Sequence, residues 1–212
     1  MSDFGFKIVV EESEFKDKYM KVQEIITKIF DEATKKYKDV SYEDSYDGTT
    51  PLKFDFSKLN DRGVLLDYEL PSLYKNKIII IFYYEKSDLA TISKKGILKQ
   101  WFLELTKLKP IEIFGGMVPI FSREEHFYYV KDFETFLHGT IIERWRIDVF
   151  GKLIEKWKEN IIGNQKLIKK IKDFLIEENV IQPDGSLIFI VSDVYNTKWK
   201  KISKMIEEEI KK

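Results

Sequence analysis

The spacing of apolar side chains along the chain predicts a mixture of helices and strands. From Ser13 to Lys38 apolar residues recur every three or four positions, which is the repeat of one helical face. The run Lys77–Glu85 is almost wholly apolar, which is typical of a central strand covered on both faces. Alternation in Leu52–Phe56 and Val64–Leu70 predicts two more strands. The short connections between these three runs favour an antiparallel meander.

The same pattern predicts the remaining elements, although residues 122–150 are ambiguous between helix and strand. Further strands are predicted at Phe6–Val10, Ile111–Phe114, Met117–Phe121 and Ser186–Val191, and further helices at Ser93–Lys107, Phe133–Leu137, Phe150–Ile161, Asn164–Glu178 and Asn196–Lys212. The pair Gly115-Gly116 indicates a hairpin turn, and Asp184 lies in a Pro-Asp-Gly turn. Ser13 and Asn164 are predicted helix N-caps. No repeat or flexible linker interrupts the chain, which favours one domain over residues 1–212.

Composition narrows the class of protein. The chain has 212 residues, 36 basic and 36 acidic side chains, two histidines and no cysteine. The absence of cysteine excludes disulfides, iron–sulfur clusters and cysteine zinc sites. No apolar run is long enough to span a membrane, and the acidic start does not suit a signal peptide, so we expect a cytoplasmic protein. Abundant lysine and isoleucine with scarce alanine suit an AT-rich, thermophilic source.

The neutral net charge hides local differences. Residues 51–110 carry an excess of basic side chains and are flanked by acidic stretches, so neutrality does not exclude a protein that binds DNA in one groove. Three lysine clusters stand out in the sequence: Lys94, Lys95 and Lys99; Lys166, Lys169, Lys170 and Lys172; and Lys198, Lys200, Lys201 and Lys204. Such lysines usually form a solvated helix surface. The last cluster could instead contact the DNA backbone.

Acidic residues on the predicted meander could hold a metal ion. Because side chains alternate along a strand, Asp67 and Glu69 share one face of the second run. Glu85 and Lys86 end the third run. Two carboxylates can hold Mg²⁺ or Mn²⁺ against a phosphate, while a lysine beside them activates the attacking water. The alternative is that Glu85 and Lys86 only bring a buried strand out into solvent.

The order of elements resembles the αβββαβ core of the PD-(D/E)xK nuclease superfamily over about residues 13–121. The resemblance implies an α+β fold with a central mixed sheet flanked by helices, and an elaboration over about residues 122–212. It places Asp67, in VLLDYEL, at the acid position of the second strand, and IIIIFYYEKS at the third-strand motif. The resemblance covers roughly half of the chain. By overall likeness the protein resembles a small viral member of the superfamily, similar to archaeal Holliday junction resolvases, and its length and composition suit a spindle-shaped archaeal virus.

Several assignments within this resemblance stay open. Either Lys86 keeps the family's lysine position and Tyr84 takes that of the acid, or Glu85 is the acid and Ser87 replaces the lysine. A second register joins Asp55 to Asp67 and Glu69. The helix acid is Glu24 or Glu14.

The leading hypothesis is a metal-dependent DNA endonuclease that acts on branched DNA or recombination intermediates of a virus. In this hypothesis Asp67, Glu85 and Asp55 ligate Mg²⁺ or Mn²⁺, Lys86 assists the water, and Glu69 or Glu24 supports the site. DNA is the expected partner and a homodimer the expected assembly, with no membrane involved. The alternative is a non-catalytic DNA-binding or protein-interaction module with a degenerate nuclease fold.

Overall fold

The computed structural model of the protein describes residues 4–41, 51–58, 76–84, 92, 94–117, 126–137, 161, 163–191 and 197–210. Its helices are α1 (Phe15–Lys36), α2 (Ile97–Thr106), the single turn α3 (Phe133–Thr135), α4 (Gln165–Glu177) and α5 (Thr197–Ile210). Its strands are β1 (Phe4–Glu11), β2 (Leu52–Lys58), β3 (Lys77–Tyr84), β4 (Glu112–Met117), β5 (His126–Val130) and β6 (Leu187–Val191). The predicted α+β class is confirmed.

The six strands form one sheet in the order β2-β3-β1-β4-β5-β6. Every pairing between these strands is antiparallel, so the prediction of a mixed sheet is wrong for the described strands. The N-terminal strand β1 lies outside the predicted nuclease-like core, yet the structure places it in the middle of the sheet. It pairs with β3 on one side and with β4 on the other.

The predicted three-strand meander is also wrong. Strand β2 pairs directly with β3, where Phe54 lies opposite Phe82. The other side of β3 pairs with β1 along its whole length, and there Phe6 lies opposite Phe82. No further strand can therefore pair with β3 over Lys77–Tyr84. The run Val64–Leu70, expected between the other two, lies outside the described residues.

The glycine pair lies within a strand and not in the predicted hairpin turn. Gly115 is in the interior of β4, opposite Phe6 of β1. A Cβ atom at position 115 would lie 2.1 Å from Cδ1 of the Phe6 ring. The glycine is needed because this buried ring occupies the space of a side chain, a close approach that is typical of glycine inside strands.

Strand β5 was not predicted, because both of its faces are buried and its apolar run is only four residues long, too short to indicate a strand by length. Phe127 and Tyr129 belong to the core on one side of the sheet, and Tyr128 and Val130 belong to the core on the other side. A strand covered on both faces shows no alternation of apolar and polar residues. The hydrophobic pattern therefore could not distinguish it from a helical segment.

Helices α1 and α2 cover one face of the sheet. Their contact is fixed by the buried indole of Trp101, whose Nε1–H donates to the carbonyl of Ile26 at 3.2 Å. Phe82 packs edge-on against Trp101, with ring centroids 5.0 Å apart. The predicted cap of α1 is wrong: Ser13 lies in a 3-10 turn, and the N-cap residue is Glu14, which makes no side-chain cap hydrogen bond.

Helices α3, α4 and α5 cover the opposite face of the sheet, over strands β5 and β6. The apolar residues of α4 and α5 form a second core with the inward side chains of these strands: Leu167, Ile171, Phe174, Leu175, Ile202, Met205, Ile206, Tyr128, Val130, Leu187 and Phe189. The side-chain oxygen of Asn164 accepts a hydrogen bond from Leu167 N at 3.0 Å, which confirms the predicted cap.

Candidate nucleic-acid interface

Most of the predicted nuclease residues lie outside the described part of the chain. They are Asp67, Glu69, Glu85 and Lys86. Strand β3, which was expected to carry Glu85 at its end, is described only to Tyr84. The carboxylate site therefore stays a prediction. The predicted site also needed a strand carrying Asp67 next to β3, but the two neighbours of β3 are β1 and β2.

The two predicted site acids that are described lie on opposite sides of the sheet. Phe56 faces α1, since its ring lies 4.7 Å from the ring of Phe15. Asp55 follows the strand alternation to the other face, where it is exposed and accepts a hydrogen bond from Phe56 N at 2.7 Å. Glu24 is exposed on α1, two positions from the buried Val22 and so on the helix side away from the sheet. Asp55 and Glu24 therefore do not share a site.

A metal site would need several converging ligands. Within the described ranges, no group of three or more histidine, aspartate or glutamate side chains lies close enough to hold a metal ion. The alternative helix acid, Glu14, is exposed in the turn before α1. The described residues thus provide no ligand set for the predicted Mg²⁺ or Mn²⁺.

One buried acid was missed by the sequence analysis. Glu112 of β4 is only 5% exposed and lies between Val9 of β1 and Val130 of β5 in the strand register. The sequence did not indicate that this side chain is buried, because a glutamate at the start of a strand is usually exposed. Glu112 adds a buried carboxylate to the sheet, but within the described ranges it belongs to no group of three or more acidic or histidine side chains that could hold a metal ion.

A polar cluster at the start of β6 has a structural explanation. The Oγ and N groups of Ser186 donate to Asp184 Oδ1 at 2.7 and 3.1 Å, and these bonds hold the pKa of the Asp184 carboxyl below its ordinary value. Burial, with the carboxylates of Asp184 and Asp132 nearby, raises the pKa of Tyr129 to about 12. The prediction that Asp184 is a turn residue is confirmed, and neither group is set to exchange a proton near neutral pH.

Many of the described lysines in the basic stretch over residues 51–110 form ion pairs within the chain. They pair with acids elsewhere on the surface: Lys58 with Glu12 at 2.5 Å, Lys77 with Glu11, Lys95 with Asp39 at 2.7 Å, and Lys107 with Glu104 at 2.5 Å. Lys95 also lies over the ring of Tyr37, 4.2 Å from its centroid. This stretch is therefore a weaker candidate for binding an anion than its composition indicates.

The helices that carry the other two lysine clusters, α4 and α5, pack against each other in antiparallel orientation. The end of α4 lies near the start of α5, where Glu178 and Lys198 form an ion pair at 3.6 Å. Lys201 lies over the ring of Phe174, with Nζ 4.4 Å from the centroid. Towards the other end, Lys170 and Glu208 approach to 3.9 Å.

A groove with a volume of about 340 Å³ runs between these two helices, and we call it the α4–α5 groove. Its lining residues are Lys166, Lys169, Lys170, Asp173, Phe174, Glu177, Lys201 and Met205. The lining thus carries four ammonium groups and two carboxylates, so the groove is net positive although the whole protein is neutral.

The floor of the α4–α5 groove is apolar and closed. Phe174 is 4% exposed and Met205 is 8% exposed, so the ring offers no open face for stacking. Lys166, Lys169, Lys170 and Lys201 are all exposed above this floor. Lys166 makes no ion pair with any residue in the described ranges. The groove presents exposed cations above a buried apolar base.

Comparisons with known proteins identify no related protein. The chain matches no protein-family model, and no curated protein and no solved structure is significantly similar to it. The resemblance to PD-(D/E)xK nucleases therefore stays a prediction. None of the helices that the structure describes combines the length and the apolar composition needed to cross a membrane.

Proposed function

We propose that the protein binds DNA through the phosphate backbone, using the α4–α5 groove, and does not read the base sequence. The observation that carries this proposal is one net positive groove in which Lys201 of α5 joins three lysines of α4 that lie far from it in sequence. Lysine-rich surfaces attract nucleic acid because binding releases condensed counterions from the phosphates.

The residue types in the groove support backbone contacts over base readout. Direct readout relies on bidentate donors and acceptors such as arginine, asparagine and glutamine. The groove is lined by lysine, aspartate, glutamate, phenylalanine and methionine instead. Lysine acts as a flexible point charge, which suits phosphate oxygens but carries little sequence information.

Cleavage by the predicted carboxylates is a separate hypothesis, and the described geometry gives it less support. The antiparallel sheet differs from the mixed sheet of the nuclease resemblance, and Asp55 and Glu24 are apart. Asp67, Glu85 and Lys86 with Mg²⁺ stay a prediction, which we test beside binding.

The test measures binding of the full chain to labelled duplex, four-way-junction and single-stranded DNA, and to duplex RNA, by fluorescence anisotropy at several salt concentrations. We expect binding without Mg²⁺, with a slope of log affinity against log salt of about −2 to −4. In the double variant Lys166→Gln/Lys201→Gln we expect affinity to fall about tenfold and the slope to lose about two.

The matched control is Lys94→Gln/Lys99→Gln, which removes the same charge from exposed lysines before and within α2. Equal losses in the two double variants would show that net charge, and not the groove, drives binding. No measurable binding to any DNA would contradict the proposal, and a preference for RNA would reassign its ligand.

The same samples test cleavage. Incubation with Mg²⁺ or Mn²⁺ on linear and branched DNA, followed by denaturing gels, detects nicks. The nuclease hypothesis would be established if the wild type cleaves DNA and Asp67→Asn binds DNA normally but no longer cleaves it. Binding with no metal-dependent product would leave the protein a binding module.

A further inference from the structure

Two of the groove lysines are held by acids of the chain itself. Lys169 Nζ lies 2.6 Å from Asp173 Oδ2 within α4, and Lys170 Nζ lies 3.9 Å from Glu208 Oε2 across the groove. All four side chains are more than half exposed: 77% and 51% for the first pair, and 57% and 53% for the second. Ion pairs this exposed are weak and exchange readily with other ions.

The placement of these charges does not serve the stability of α4. A lysine four residues before an acid is the less favourable order for a helical ion pair, and Lys169 precedes Asp173 in this way. Lysines Lys166 and Lys169 lie near the start of α4 and Glu177 at its end, which is opposite to the preference set by the helix dipole. A role in ligand binding accounts for this arrangement better than helix stability does.

We infer that the carboxylates of Asp173 and Glu208 compete with DNA phosphates for two lysines of the groove. This inference rests on the proposed function. Without DNA they hold Lys169 and Lys170. Lys166 and Lys201 form no ion pair with a described residue and make the first contacts with phosphate. Full engagement then exchanges two carboxylates for phosphate oxygens. The acids thus limit the affinity and keep the complex readily reversible.

The test compares the full-length wild-type protein with Asp173→Asn, Glu208→Gln and their combination, with labelled duplex DNA as the probe. Asparagine and glutamine keep the side-chain size and remove the charge. We expect each single variant to bind about three to ten times more tightly. We also expect the salt slope of Asp173→Asn to steepen by about one, because no freed carboxylate then takes up a counterion when Lys169 contacts phosphate. Thermal unfolding of each variant checks that the fold is unchanged.

The matched control is Glu32→Gln, which makes the same change in net charge at an exposed position of α1, across the sheet from the groove. We expect it to alter affinity by less than about twofold, because charges beyond a Debye length are screened. A second control adds Lys169→Gln to Asp173→Asn. If Asp173 acts through Lys169, this addition cancels most of the gain.

The outcomes separate this inference from the proposed function. Wild-type binding with no larger gain in Asp173→Asn than in Glu32→Gln overturns the competition alone. A gain that survives the added Lys169→Gln also overturns it, since the acid then acts by general charge. Absence of DNA binding in the wild type and in every variant overturns both proposals.

Discussion

Gly115 decides how closely the two central strands approach. Its missing side chain leaves room for the ring of Phe6, which is fully buried among the rings of Phe82, Phe102 and Phe127. Because these rings surround Phe6, it cannot move away from an added methyl group. The sequence shows the glycine but not its partner, since Phe6 is distant along the chain.

We predict that Gly115→Ala destabilises the protein by about 3 kcal/mol, because it overpacks a rigid core. The control is Gly185→Ala, where nothing lies within 4 Å of an added Cβ and the positive φ of 86° is the only cost. That variant should lose about 1 kcal/mol. Urea unfolding measures both free energies, and a loss at position 115 no larger than that at 185 would refute the packing explanation.

At the level of elements, the helices were predicted well because their signals are local. The apolar repeat of α4 and the cap at Asn164 lie within a few residues of each other, and both are present in the structure. Most of the described strands were also predicted, but their pairing was not, because the partners of β1 lie on β3 and β4, far along the chain.

We predict that Asn164→Ala lowers the stability by about 1 kcal/mol, because the N–H of Leu167 loses its acceptor. For a chain of this size the melting temperature should fall by about 2–4 °C. Gln165→Ala, one residue further on and exposed, is the control and should change it little. Circular dichroism melts would detect the difference, and equal shifts would argue against the cap.

At the scale of the whole molecule, β5 joins two cores. Its odd-numbered residues pack under α1 and α2, and its even-numbered residues Tyr128 and Val130 pack under α4 and α5. If β5 left the sheet, apolar side chains of both cores would be exposed to solvent. We therefore expect damage in one core to weaken the other.

We predict that Ile171→Ala, in the second core, costs about 3 kcal/mol and speeds hydrogen exchange of the most protected amides of β1 and β3 in the first core. The control is Ile176→Ala on the same helix, where the side chain is 52% exposed and the cost should stay below about 1 kcal/mol. Unchanged protection in β1 after Ile171→Ala would show instead that the two cores unfold independently.

The sequence by itself determined the α+β class, the long helices, strands β1, β2, β3 and β6 and the Asp184 turn, because periodicity, caps and turn residues act over a few neighbours. Only the tertiary structure decided the antiparallel strand order, the strand through Gly115, and the burial of Glu112. It also decided where the lysines gather. Lys201 lies far along the chain from Lys166, Lys169 and Lys170, and these lysines line one groove only when α4 and α5 pack together. Long-range pairing of this kind depends on which surfaces meet, and the local pattern of residues does not specify it.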